Sequence, residues 1–109
     1  MNANELKLRR LPNDRAVVTL AGEHDGYSAV RIAKGIHSFL EEGRDVEVDL
    51  RNAAFLDSTT VATLIEAHRY AVECGHRFTI SIGESTGWPV RRLFELTQLD
   101  SLLTVVAER

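Results

Sequence analysis

The stretch from Val46 to Ile82 constrains the fold more than any other part of the chain. "VEVDL" (46–50) reads as a strand that puts Val46, Val48 and Leu50 on one face. "RFTISI" (77–82) is another β-type run. Between them Val61, Leu64, Ile65, His68 and Val72 form a stripe at helical spacing. That stripe predicts a helix over 59–74, stopped by Gly75. Two strands joined by a helix of this length pair in parallel, through a right-handed crossover. The central third of the chain therefore demands a sheet with a helix packed on it.

The flanks extend the same plan. "ELKLRR" (5–10) alternates and predicts a strand; Pro12, Asn13 and Asp14 supply turn chemistry. "RAVVTLAG" (15–22) is a second strand, and the short connection makes the pair antiparallel. After "GEHDGYS" the period changes. Ala29, Ile32, Ala33, Ile36 and Leu40 predict a helix capped by Ser28 and ended by Gly43. "GESTGWP" breaks the strand at 77–82, Val90, Leu93, Phe94 and Thr97 mark a third helix, and "LTVV" (103–106) closes the chain with a strand. The order is β-β-α-β-α-β-α-β: an α/β fold with a mixed β-sheet and helices packed on it. At 109 residues the expectation is a single domain, 1–109, that folds without a disulfide or a metal.

Composition narrows the function classes. A net charge of −3 lacks the basic bias of a nucleic-acid binder. No apolar run approaches the roughly 20 residues that span a bilayer. "MNANELKLRR" has no apolar signal-peptide core, and the single Cys74 has no internal partner, which together predict a reduced, cytoplasmic setting.

Most catalytic motifs are missing or incomplete. "GESTG" (83–87) matches the nucleophile elbow G-x-S-x-G and sits between a strand and a helix. That chemistry needs an acid and then a histidine later in the chain, but no histidine follows Ser85. A strand-ending, helix-capping loop accounts for the same letters. His24, His37, His68 and His76 fall in no zinc-ligand spacing, so no metal is expected. No P-loop or dinucleotide fingerprint is present, so no cofactor is expected either.

"DSTT" (57–60) is the more informative stretch. Asp57, Ser58, Thr59 and Thr60 stand at a strand-to-helix junction. One oxygen-bearing side chain suffices for a cap; four in a row make a candidate site. Such a junction lies at the carboxyl end of a strand, where open α/β sheets gather functional groups. Glu23 and Asp25 follow the second strand and are expected at the same end. A phosphate on a hydroxyl there adds about −1.5 to −2 charges to an acidic surface. The fold would survive, and a docked apolar or acidic surface would be repelled.

These residues resemble a known family. "VEVDLRNAAFLDSTTVATLIEAHRYAVECGHRFTISI" is similar to the central part of a STAS domain of the anti-sigma factor antagonist type. That family carries a pattern close to D-S/T-S/T-G-x-x-x-L after a strand ending in F-I/L. "LAGEHDGYSA" is similar to its "GELD…A" segment, and "VRRLFELTQLDSLLTVV" to its third helix and closing strand. The resemblance runs from about residue 15 to 106.

The resemblance implies regulation by protein binding, not catalysis. It implies a partner: an anti-sigma factor that is itself a serine/threonine kinase of the ATPase-like fold. The unmodified antagonist holds that factor and frees the sigma factor; phosphorylation ends the hold, and a phosphatase restores it. The implied acceptor is Thr59, with Ser58 as the neighbouring alternative. The implied contact set is Glu23, Asp25, Asp57, Ser58, Thr59 and Thr60. One position departs from the family: its glycine is Thr60 here, which adds a branched side chain next to the acceptor. Two other readings stand beside this one. The first is a non-phosphorylated STAS subunit of a lipid-transport or stress-signalling complex. The second is a small serine hydrolase at Ser85.

Overall fold

The computed structural model describes residues 4–97 and 104–107. In chain order they form β1 (Glu5–Leu11), β2 (Arg15–His24), α1 (Gly26–Glu41), β3 (Asp45–Asp49), β4 (Ala53–Leu56), α2 (Ser58–Glu73), β5 (Phe78–Ile82), α3 (Trp88–Thr97) and β6 (Thr104–Ala107). The expected start of the last strand at Leu103 lies outside the described residues.

β1 and β2 are antiparallel, as the short "LPND" connection predicts. Asn13 and Asp14 turn the chain with φ of 64° and 55°, a region that Asn and Asp tolerate better than most residues. The other pairs are parallel, in the lateral order β1-β2-β3-β5-β6, with β4 attached to β2. Register aligns one row across the sheet, Leu8–Val18–Val48–Ile80–Val105. Val18, Val48 and Ile80 are fully buried and join Ile32, Ile36 and Leu64 from the helices in one core. The alternate row, Val17–Glu47–Thr79, is half-buried and mostly polar. Alternation along each strand thus fixes which face the helices cover.

The structure corrects the expected order at one point. The loop expected after "VEVDL" contains a strand, β4, and the sequence of elements is β-β-α-β-β-α-β-α-β. β4 pairs with the far end of β2 (Glu23↔Phe55, His24↔Leu56), across a register shift at Gly22/Glu23. Ten residues make β2 long enough to pair β3 with its first half and β4 with its second. In sequence β4 is invisible, because it spans four residues, two of them alanines with weak strand preference. It exists because β2 offers it an edge.

The stripe on α2 is also rotated from the expected one. Thr60, Leu64, Ala67 and Ala71 are buried, while Val72 is exposed. Hydrophobicity favours valine, but close packing of α2 on α1 favours small side chains between the helices. Gly43 and Gly75 follow the helix ends with φ of 82° and 79°, the left-handed region that leaves glycine unstrained.

At the far end of α1, Glu42 accepts hydrogen bonds from Arg10 Nε and Nη2 at 2.9 and 2.6 Å and from Arg44 Nε at 2.8 Å. The Arg10 bonds first, then the Arg44 bond, lower its pKa from 4.5 to about 2. A depressed carboxylate contributes stability above its ordinary value, and that contribution is lost as pH falls through the folded value. Glu42→Gln is therefore expected to lower the urea midpoint near neutral pH. The difference should shrink between pH 4.5 and about 2, as unfolding curves across that range will show.

Candidate functional site

The pairing of β2 with β4 sets the Glu23–Asp25 and Asp57–Thr60 stretches side by side. Asp57 N–H donates to His24 O at 3.1 Å, so the ends of the two strands are tied together. Each strand then turns at once into a helix. Asp25 caps α1, its Oδ1 accepting from Tyr27 N–H at 3.0 Å. The cap expected at Ser28 is therefore corrected: the helix begins at Gly26, and Ser28 N–H already donates to Asp25 O. Asp25 wins because its side chain reaches the open N–H two residues on, as aspartate at this position commonly does. Glu23 lies on the last turn of strand rather than in a loop, exposed, with its N–H held by Asn4 Oδ1 at 3.1 Å.

Asp57 caps α2, and its carboxylate also serves α1. Oδ1 accepts from Thr60 N–H at 2.9 Å and from Thr60 Oγ1 at 2.9 Å. The Thr60 N–H is the main cause that holds the Asp57 pKa below its ordinary value, followed by the Thr60 hydroxyl and the N–H groups of Gly26 and Thr59. Two helix N-termini thus converge on one carboxylate, which suits their partial positive charge.

Thr60 completes the junction. It is fully buried, and its hydroxyl lies 2.9 Å from Asp57 Oδ1 and 3.3 Å from Asp25 O. Its branched side chain is therefore turned inward between the helices, away from the surface that Ser58 and Thr59 present. Both of those are exposed. Thr59 O accepts from Thr63 Oγ1 at 2.9 Å, which leaves the Thr59 hydroxyl outside the helix's own bonding. Glu23, Asp25 and Asp57 make no ion pair with lysine or arginine among the described residues. The surface is acidic, with two free hydroxyls at its centre.

Comparison with known proteins turns this geometry into a family assignment. The family profile described as "Mlab, STAS domain" matches residues 8–104. The chain belongs to the STAS domain family. The anti-sigma-B factor antagonist of Bacillus subtilis (strain 168) is 26% identical to this STAS domain over 108 residues, covering 99% of this chain and 94% of that protein. The crystal structure of an anti-sigma factor antagonist from Mycobacterium paratuberculosis matches with a TM-score of 0.77 at 19% identity, covering 94% of this chain and 85% of that one. The phosphorylated form of the Bacillus cell fate determinant SpoIIAA matches at 0.74 with 17% identity, covering 96% and 92%. Those structures share the mixed α/β fold of the described residues.

Two features of this STAS domain's site carry no signal in the motif. Tyr27, next to Asp25, is 91% exposed. Its position off the 29-32-36-40 apolar period is the sequence clue. A groove of about 270 Å³ runs from Thr59 between the helices, past Ala33, His37, Thr63 and Glu66. It follows from the small residues on α1 and α2, and only the packing of the two helices reveals it.

The other sequence candidates fill structural roles. In "GESTG", Ser85 is exposed and Thr86 is buried. Thr86 Oγ1 accepts from Gly83 N–H at 2.9 Å and donates towards Leu50 O at 3.0 Å, which ties the β5–α3 loop to the β3–β4 turn. Gly87 N–H donates to Ala53 O at 2.7 Å, and a Cβ on Gly87 would stand 2.8 Å from Ala54 Cα. Backbone cannot yield as a side chain can. Gly87→Ala is expected to cost about 1–3 kcal/mol of stability, as overpacking does, read from the shift of a denaturation midpoint. The histidines are dispersed. His24 is buried with Nε2 at 3.0 Å from Ala21 O, His37 stacks on Tyr70, His68 meets the edge of Phe78, and His76 lies 3.5 Å from Asp45. Among the described residues no helix is long and apolar enough to cross a membrane.

Proposed function

We propose that this STAS domain is an anti-sigma factor antagonist, acting by binding rather than by catalysis. Its partner is an anti-sigma factor of the ATPase-like serine/threonine kinase type, met in the cytoplasm. Thr59 is the phosphorylation switch, Ser58 is the second candidate acceptor, and a phosphatase reverses the modification. Glu23, Asp25 and Asp57 frame the contact, and Thr60 acts from beneath by holding the two helix starts together. The observation that carries this reading is the pair of exposed hydroxyls on the first turn of α2, within an acidic surface built from two joined strand ends. The named relative that matches along 99% of the chain supports the same reading.

The local physics fits a switch by charge. The Thr60 N–H on the first turn of α2 already donates to Asp57. A phosphate on Thr59 adds its charge to a contact surface whose carboxylates have no lysine or arginine partner among the described residues.

Incubation with the cognate kinase and ATP, followed by mass spectrometry, tests the proposal. Added phosphate on Thr59, absent from Thr59→Ala, is the expected result. Partner binding with no phosphate on Thr59 or Ser58 would leave a STAS binding module without the switch. Absence of both binding and phosphate would remove the anti-sigma reading altogether.

A further inference from the structure

The sheet order leaves β1 with one open edge: it pairs with β2 and with no other strand among the described residues. A groove of about 360 Å³ runs along that edge between β1 and α1. Leu8, Gly35 and Phe39 form its floor, and Arg10, Arg31 and Lys34 stand around it. The floor depends on Gly35, where an added Cβ would come within 2.9 Å of Leu8 Cδ2. Leu8 itself remains 47% exposed.

The charge around this groove is opposite to that of the chain. The net charge is −3, yet five of the thirteen basic side chains fall on β1 and α1, against the carboxylates of Glu5 and Glu41. Arg10 is neutralised by Glu42 and lies over the Phe39 ring at 5.4 Å. Arg31 and Lys34 have no anionic partner among the described residues. They are three apart on α1 and so share one face of the helix. Leu8 faces α1, so Lys7 and Arg9 project from the other side of the strand.

An open strand edge accepts an added strand, with alternate side chains giving specificity. A second copy is a poor occupant. Antiparallel pairing of β1 on itself about Leu8 would set Lys7 opposite Arg9 twice, and like charges directly opposed destabilise a sheet. We propose that the β1 edge takes up an extended, acidic segment of a partner protein as an additional strand. Its apolar side chains cover the exposed Leu8, and carboxylates on the same face of the strand meet Arg31 and Lys34. This surface is separate from the anti-sigma contact. Ala33 and His37 line the groove between α1 and α2, whereas Lys34 and Ser38 line the groove towards β1.

The test is fluorescence anisotropy of the full chain with a labelled peptide of repeated Val-Thr-Glu-Thr, which puts valine and glutamate on the same face of the added strand. Saturable binding is expected, weakened about tenfold or more in the Arg31→Glu/Lys34→Glu double variant. The same peptide N-methylated at alternate amides should fail to bind, because it cannot complete a strand pairing. Slower hydrogen exchange of β1 amides in the complex is the accompanying sign. Thr59 phosphorylation should be unchanged in the double variant, so failure here and failure of the anti-sigma reading are distinguishable. Four results would each overturn the proposal: no saturation, equal binding of the N-methylated peptide, full affinity in the double variant, or a β1-mediated dimer in sedimentation.

Discussion

Thr59→Glu is expected to weaken binding of the anti-sigma partner by about a hundredfold, while Thr59→Ala binds like the unmodified chain. A misplaced charge in a protein contact costs several kcal/mol, and about 1.4 kcal/mol is a factor of ten. The site gives the new carboxylate no cation to pair with. Asp57 already takes the Thr60 N–H, and Glu23, Asp25 and Asp57 have no cationic partner among the described residues. Thr59→Ala removes only an exposed hydroxyl whose backbone carbonyl, not its side chain, bonds within the helix. Calorimetry on the two variants decides the matter: equal affinities would mean that Thr59 is not read by the partner.

Thr60→Gly restores the residue that the family pattern carries and is nevertheless expected to destabilise this chain by roughly 2–4 kcal/mol. Glycine within a helix costs about 0.5–1 kcal/mol relative to alanine. A buried hydrogen bond to a charged partner contributes about 1.5–3 kcal/mol. Thr60 is fully buried and bonds to the Asp57 carboxylate with both its N–H and its hydroxyl. Thr60→Val keeps the shape and loses the hydroxyl, so it should lose most of the same stability. Phosphorylation of Thr59 should survive in both variants, because its hydroxyl lies on the outer side of the turn. Chemical denaturation measures the first effect and mass spectrometry the second. A Thr60→Gly chain as stable as the parent would show that the two helix starts hold together without this hydroxyl.

The departure at Thr60 shows how far the motif could be read. In sequence it is a branched residue next to the acceptor, which suggests crowding at the contact surface. In the structure it points the other way, because it shares the buried face of α2 with Leu64, Ala67 and Ala71. The same inward face explains the rotated stripe of α2. Thr60, Ala67 and Ala71 are buried where a hydrophobicity pattern selects Val72. Small residues at a helix–helix contact read as neutral in a sequence and as essential in a packed pair. The grooves beside Thr59 and beside Leu8 share this origin. Each exists where a second element approaches closely, at Ala33 or at Gly35.

The caps show a middle case. Asp57 as a helix start was legible, because an oxygen-bearing side chain followed by an apolar period has only a few local uses. Its second role, receiving the Gly26 N–H, was not. The sequence selects Ser28 for the start of α1, and Asp25 takes that place in the structure because its carboxylate reaches the Tyr27 N–H.

The sequence by itself determined the alternation of strands and helices, the parallel core built on Val46–Ile82, and the run of hydroxyls at the start of α2. Those are local or periodic properties, written in β-branched runs, in apolar spacing and in glycine stops. The tertiary structure alone decided which strands meet. β4 forms only because the second half of β2 is free to hold it. That pairing joins Asp25 to Asp57, turns Thr60 inward, and leaves Ser58 and Thr59 as the hydroxyls on offer. The contacts responsible span some thirty residues of chain, and no pattern of neighbouring residues encodes a distance of that kind.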